Sequence, residues 1–281
     1  MPVEPTSPAG LLPGKLIFKK AVSGLFAGVR SLSGRKYPGN GFRALNYHSI
    51  SDKFSDRDIC AQMTTPRGLF EDQMRFLKER GYSVLSCSEA VNMMGGSAAM
   101  PPKSVCITLD DGFKDNLVNG LPALERYGLK ATIFLTVDYI GRGGEYLNWD
   151  DIKTLSGSGL ISFGSHSMSH RKLSLLGTAD LEKELVTSKH ILEDRLAAAV
   201  DLFAYPFGSY GSFDSKTEEF LRSCGYRAAF TTIAGFNTLN TDPFRLRRTR
   251  ISWYDDKTEF AKELSGDYDW YRMWQMMAGP R

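Results

Sequence analysis

Residues 131–137, Ala-Thr-Ile-Phe-Leu-Thr-Val, form a strand-length run with no polar face. A strand written this way must be covered on both sides, the condition of a strand inside a parallel sheet flanked by helices. The same grammar repeats along the chain. Residues 42–47 read as a first strand, and after a polar loop Thr65 and Pro66 read as a helix cap followed by a proline at the first helical position. Phe70, Met74 and Leu77 give that helix its apolar face, and Gly81 ends it. Residues 82–85 predict a strand, 88–94 a short helix, and 104–109 another apolar strand. Leu117, Leu121, Leu124 and Tyr127 then mark a helix ended by Gly128, and 149–155 a helix closed by Gly157 and Gly159. Residues 160–163 read as the next strand, and Thr178 as the cap of a long helix buried through Leu181, Leu185, Leu192 and Leu196. Strand 202–205, a helix near 217–223 and strand 226–230 complete the series. Six or seven strand-then-helix units predict an α/β fold, a mostly parallel β/α barrel. Chemistry in such barrels gathers at the carboxyl ends of the strands.

The chain has 281 residues, of which 42% are hydrophobic and 24% charged, enough for one large catalytic domain. We place it at residues 42–264, after an extension and linker over 1–41 and before an aromatic, methionine-rich tail over 265–281. A formal net charge of +3 is too small to argue for nucleic acid. Its distribution is uneven: no acid stands between Glu4 and Asp52, while Lys15, Lys19, Lys20, Arg30, Arg35, Lys36 and Arg43 do. Phe18, Val22, Leu25, Phe26, Val29 and Leu32 fall at helical spacing in the same stretch. An apolar stripe beside a basic face over 15–33 is the pattern of a helix lying on an anionic membrane surface, and also of one packed on the domain. Lys19 and Lys20 interrupt the stretch that a secretory signal would need, and no run approaches the roughly 20 apolar residues of a spanning helix. Cys60, Cys87, Cys106 and Cys224 lack metal-knuckle or redox spacing and read as reduced thiols. The expected location is therefore the cytoplasm, with peripheral contact at the inner face of the membrane.

Four of the strand ends carry polar chemistry: His48, the pair Asp110-Asp111, His166 with His170, and Tyr205-Pro206-Phe207-Gly208. Neighbouring carboxylates on a strand point to opposite faces, but a turn beginning at Gly112 can bring both into one mouth. His166 and His170, four apart, can present two imidazoles to a single ion, and one carboxylate completes three protein ligands. Three ligands leave a position for water, the mark of a catalytic zinc site. A second carboxylate beside it can take that water's proton.

The chain here resembles carbohydrate esterase family 4, the NodB-type polysaccharide deacetylases, over roughly residues 42–262. Thr108-Leu-Asp-Asp-Gly112 is similar to the family's first motif, and Ser165-His-Ser-Met-Ser-His170 to its second. The resemblance implies a distorted (β/α)7-type barrel and a divalent ion, zinc first with cobalt, nickel or manganese as alternatives. By resemblance Asp110 is the general base, Asp111, His166 and His170 are the ligands, and Ser167 steadies the loop. The segment Ala204-Tyr-Pro-Phe-Gly208 looks like the third motif without its usual arginine, and the resemblance gives Phe207 N–H to the oxyanion. Arg248 can supply the missing cation from another strand. The family's late histidine is absent, since none follows His190, which the pattern puts on a helix surface. The Tyr47-His48 element resembles the branch acting on poly-N-acetylglucosamine, which implies His48 as general acid. Trp149, Tyr205 and Phe207 are candidates for stacking on sugars. The implied activity is removal of N-acetyl groups from an N-acetylated glycan. O-deacetylation, cleavage of another C–N bond, and non-catalytic glycan binding stand as alternatives. An iron oxygenase shares the two-histidine, one-carboxylate ligand set but favours a β-rich fold. Oligomeric state is not readable.

Overall fold

The computed structural model describes residues 39–53 and 63–277. The expected membrane-surface stripe over 15–33 and Cys60 lie outside the described residues, and no described helix is long and apolar enough to cross a membrane.

Strand β1 (Gly41–Tyr47) is followed by a two-stranded parallel pair, β2 (Ser49–Ile50) with β3 (Thr64–Thr65). Helix α1 (Arg67–Glu79), β4 (Ser83–Leu85), α2 (Cys87–Met94) and β5 (Ser104–Asp111) come next. A π-helical turn, Asn116–Gly120, leads into α3 (Leu121–Tyr127), then β6 (Ala131–Leu135), α4 (Trp149–Gly157) and β7 (Ile161–Ser165). Helices α5 (Thr178–Glu182) and α6 (Ser188–Leu196) are joined by a second π segment, Lys183–Thr187. The rest is β8 (Leu202–Ala204), α7 (Ser215–Ser223), β9 (Ala228–Phe230), β10 (Asn237–Thr238), β11 (Arg248–Arg250), α8 (Lys257–Ser265) and α9 (Tyr271–Met277).

Seven strands run parallel in the order β11-β1-β5-β6-β7-β8-β9. They curl into a distorted barrel in which the gap between β9 and β11 is spanned by a single parallel bridge from Phe230 to Leu246. The long strand β5 shares one edge between two partners: β4 pairs with its first three residues and β6 with its last four. Alternation along the strands sorts the core. Phe42, Ala44, Cys106, Phe134, Leu202, Ala204, Ala228, Phe230 and Leu246 fill the interior together with Cys87, Ala90 and Val91 of α2. Phe134 and Phe230 meet across it at 5.4 Å. The other parity, Leu45, Tyr47, Val105, Ile107, Leu109 and Ile133, packs outward on Phe70, Met74, Leu77, Leu124, Ile152, Leu155 and Phe260 of the surrounding helices.

Two helix starts differ from the sequence reading. Thr65 pairs in β3 and Pro66 takes the N-cap position without a side-chain cap. Gly177, not Thr178, caps α5. Strand β5 also runs two residues further than its apolar stretch, so the acid pair belongs to the strand. The tail over 265–281 is tied to the barrel as far as it is described. Asp269 accepts two hydrogen bonds from the buried Arg43 of β1 (2.8 and 3.0 Å), and Gln275 bonds Thr232 O and Ala234 N (3.0 and 2.9 Å).

Candidate active site and metal centre

Asp110 shares parity with Cys106 and Thr108 and so points into the barrel mouth at the end of β5. Asp111 on the same straight strand would point outward. It does not, because its own backbone is left-handed (φ 71°), and Gly112 follows at φ 76°. The turn therefore begins one residue earlier than Gly112, on a non-glycine residue, a conformation that costs on the order of 1–3 kcal/mol and persists only where its surroundings enforce it. Both carboxylates end in the same mouth.

The histidines arrive from β7. His166 N–H donates to Leu135 O (2.8 Å), and its Nδ1 lies 2.7 Å from Ala204 O. With that proton on Nδ1, Nε2 is left as a free lone pair, aimed at Asp111 Oδ1 3.7 Å away. The chain then turns through Ser167 (φ 69°) and His170 (φ 59°). Ser167 Oγ accepts from His170 N–H (3.0 Å), and His170 Nε2 stands 3.6 Å from the same Asp111 oxygen. The ligand atoms of Asp111, His166 and His170 all lie within 4.8 Å of one another.

This donor set fits a metal ion. Asp111 Oδ1 is buried and has no hydrogen-bond partner, although two imidazole nitrogens face it. Separations of 3.6 and 3.7 Å are close to the roughly 3.4 Å between two ligands held about 2.0–2.1 Å from one tetrahedral ion. Burial, with the neighbouring Asp110, pushes the Asp111 carboxyl up to about 8, while burial lowers His166 to about 3 and also lowers His170. Neutral imidazoles are the form in which histidine binds a metal, and a cation beside Asp111 would favour its carboxylate over the protonated acid.

Asp110 has a different environment. Arg248, fully buried on β11, grips it with both arms: Nη1 to Oδ1 at 2.6 Å and Nη2 to Oδ2 at 2.8 Å. Arg248 is itself fixed by Thr231 O and Thr108 Oγ1 and lies over the Phe134 ring. Asn46 Nδ2 adds a third donor to Oδ2 at 2.8 Å. Burial alone would raise Asp110, but Arg248, helped by His166 and His48, outweighs it and holds the carboxyl well below the usual carboxylate range. His48, just beyond β1, places Nε2 3.9 Å from Asp110 Oδ2. Its carbonyl is held by Asn116 Nδ2 (2.8 Å), and burial, only partly offset by Asp110, lowers its imidazole to about 4.

The rim is mixed. Gly208 N–H bonds Pro206 O at 2.7 Å around Phe207 at φ 62°, the geometry of a γ-turn, which Thr232 pins through Phe207 O and Gly208 O. Phe207 is 50% exposed and its ring lies 4.8 Å from that of His170. Tyr205 is not open to a ligand: it is fully buried, stacked on Phe213, with its hydroxyl on Phe244 O. Trp149, the first residue of α4, packs against the outer apolar core with Arg195 of α6 over its ring. His190 is exposed, as its helical surroundings predict. The structure thus gathers Asp110, Asp111, His48, His166, His170, Arg248 and Phe207, and leaves the Tyr205 ring buried behind them.

Three polar residues of the site went unread in the sequence. Asn46 was findable, since it alternates with Ala44 along β1 and the same parity leads to His48 just beyond the strand. Tyr139, whose ring lies 6.2 Å from that of His170, follows an apolar strand with no distinguishing pattern. Glu184, which bonds the histidine loop, sits among leucines at helical spacing and gives no local signal.

The family described as Polysaccharide deacetylase matches residues 97–229. The poly-beta-1,6-N-acetyl-D-glucosamine N-deacetylase of Escherichia coli K12 is 24% identical over 275 residues, a match taking in 83% of this chain and 40% of that protein. The solved Streptococcus pyogenes deacetylase PplD, in complex with acetate, shares the fold at a TM-score of 0.73 and 23% identity, covering 81% of this chain and 99% of PplD. The Bacillus subtilis protein YxkH, a polysaccharide deacetylase by name, is 32% identical over 208 residues, 74% of this chain and 70% of YxkH. Identity at that level across most of both sequences exceeds a likeness of fold, and the chain belongs to the polysaccharide deacetylase family.

Proposed function

We propose that this protein removes N-acetyl groups from amino sugars within a polysaccharide, oligosaccharide or lipid-linked glycan, releasing acetate, and that it does so with a divalent ion, zinc first, held by Asp111, His166 and His170. The observation that carries the reading is the buried, unpartnered Asp111 Oδ1 facing two histidine nitrogens at 3.6 and 3.7 Å. A zinc ion in that position supplies a Lewis acid and an acidified water. Asp110, held by Arg248 and Asn46, accepts the proton of the attacking water. That proton then reaches His48, 3.9 Å away and neutral at pH 7, which delivers it to the departing amine. The Phe207 N–H, preorganised in its strained turn beside His170, is the donor we assign to the oxyanion. The sugar chain lies along the half-exposed Phe207 side of the mouth.

Poly-β-1,6-N-acetylglucosamine comes first among substrates because the E. coli relative is named for it. The parallel barrel removes the fold support of the oxygenase alternative. The decisive experiment measures acetate release by zinc-loaded protein from a panel of N-acetylated glycans and matched O-acetylated ones. Acetate from the amides, lost about 10²–10⁴-fold in Asp110→Asn with zinc still bound, is the expected result. Release from the esters alone, or from nothing, sinks the proposal.

A further inference from the structure

The two histidines are aimed by different means. His166 has a direct acceptor for its Nδ1 proton, the Ala204 carbonyl. His170 ends a loop whose backbone turns left-handed at Ser167 and again at His170 itself, and its N–H is bonded to Ser167 Oγ. The Tyr139 and Phe207 rings flank its imidazole, and its backbone path depends on how firmly residues 167–169 are held. One side of that loop rests on the segment after β6, with Ser167 O and Met168 O accepting from Val137 N–H and Asp138 N–H (3.3 and 2.9 Å). The other side meets Glu184 alone among the described hydrogen bonds of Met168 N–H and Ser169 N–H.

Glu184 is 2% exposed and lies in the π segment between α5 and α6, a local widening of a kind often found at functional sites. Its Oε2 accepts from Met168 N–H at 3.1 Å and Ser169 N–H at 2.9 Å, its Oε1 accepts from the Ser169 hydroxyl, and its main-chain carbonyl shares the Met168 N–H at 3.1 Å. A carboxylate placed deep in a protein is kept there by the donors it collects. All three donors to this one come from the metal loop.

We infer that Glu184 is a positioning residue of the metal centre: its buried carboxylate sets the backbone path of residues 167–170 and through it the aim of His170. The inference rests on the metal-site reading above. Outer partners that orient metal ligands typically govern 10–100-fold of metal affinity.

The test is zinc affinity by competition with a chromophoric chelator, together with the visible absorption of the cobalt-substituted protein, which reports ligand geometry without any turnover. Glu184→Ala is expected to bind zinc 10–100-fold more weakly and to shift the cobalt spectrum. Glu184→Gln keeps an oxygen for both N–H groups and is expected to restore most of the affinity. Ser169→Ala, which leaves the carboxylate in place, covers the case in which Glu184→Ala does not fold, and is expected to weaken zinc several-fold. Wild-type affinity and spectrum in Glu184→Ala, or in Ser169→Ala should Glu184→Ala not fold, overturn the assignment. So does equal loss in Glu184→Gln and Glu184→Ala, which would place the effect in the charge. Wild-type protein that takes up no zinc refutes the metal site instead, a separate result.

Discussion

Arg248 and Asp110 form a fully buried ion pair of the kind whose net stabilisation is small but whose halves are costly to separate. Arg248→Met therefore strands the Asp110 carboxylate, and urea unfolding should show a loss of about 3–5 kcal/mol. Arg248→Lys should recover part of that, since a lysine replaces a two-armed grip with one point contact. His48 makes a pH-dependent contribution of known sign. Its folded value of about 4 lies below the ordinary 6.5, so the unfolded chain binds the extra proton. Stability from the neutral buried ring is complete above about pH 6.5 and is lost as pH falls towards 4. Between pH 7 and pH 5 the wild type should lose about 2 kcal/mol more than His48→Ala in urea titrations. The same variant should keep zinc and lose most of its acetate release. The ion pair is also where the sequence reading was most dependent on topology: a cation 138 positions from Asp110 becomes its partner because β11 lies next to β1 in the curled sheet.

At the scale of elements, the strands were legible because burial on both faces leaves a continuous apolar signature, as in β5 and β6. Their ends were less so. The apolar pattern stops at Leu109, yet β5 carries on through Asp111, where inward burial at the mouth replaces hydrophobicity as the determinant. Aromatic rings misled for a related reason: Trp149 and Tyr205 are the residue types that line sugar sites, but they are equally the types that fill a helical layer or an outer core, and only packing decides. The short turn after β8 has its own constraint. Gly208 has φ 60°, and a Cβ there would stand 2.7 Å from Thr232 N, a main-chain atom with little room to yield. Gly208→Ala should displace the Phe207 turn while leaving the ligands alone. Turnover about 10–100-fold lower at unchanged zinc affinity is the expected outcome. Full turnover would remove Phe207 N–H from the mechanism.

For the molecule as a whole, the C-terminal segment is part of the barrel's fastening. Arg43, 1% exposed, takes its carboxylate partner from Asp269, beyond the last large helix of the barrel. Asp269→Ala should lower stability by about 2–3 kcal/mol in thermal or urea melts, less than full loss of a buried pair because Asp269 is partly open to water. No local pattern marks that tie, since its halves are 226 residues apart. The barrel seam has a further consequence. Leu246 forms the bridge to β9 just ahead of the closing strand, and two residues later that strand delivers Arg248 to Asp110. A polypeptide still emerging from the ribosome has both aspartates and both imidazoles long before it has the guanidinium that orders the first of them. The grip on that first aspartate is thus completed only when the last parallel strand takes its place beside β1.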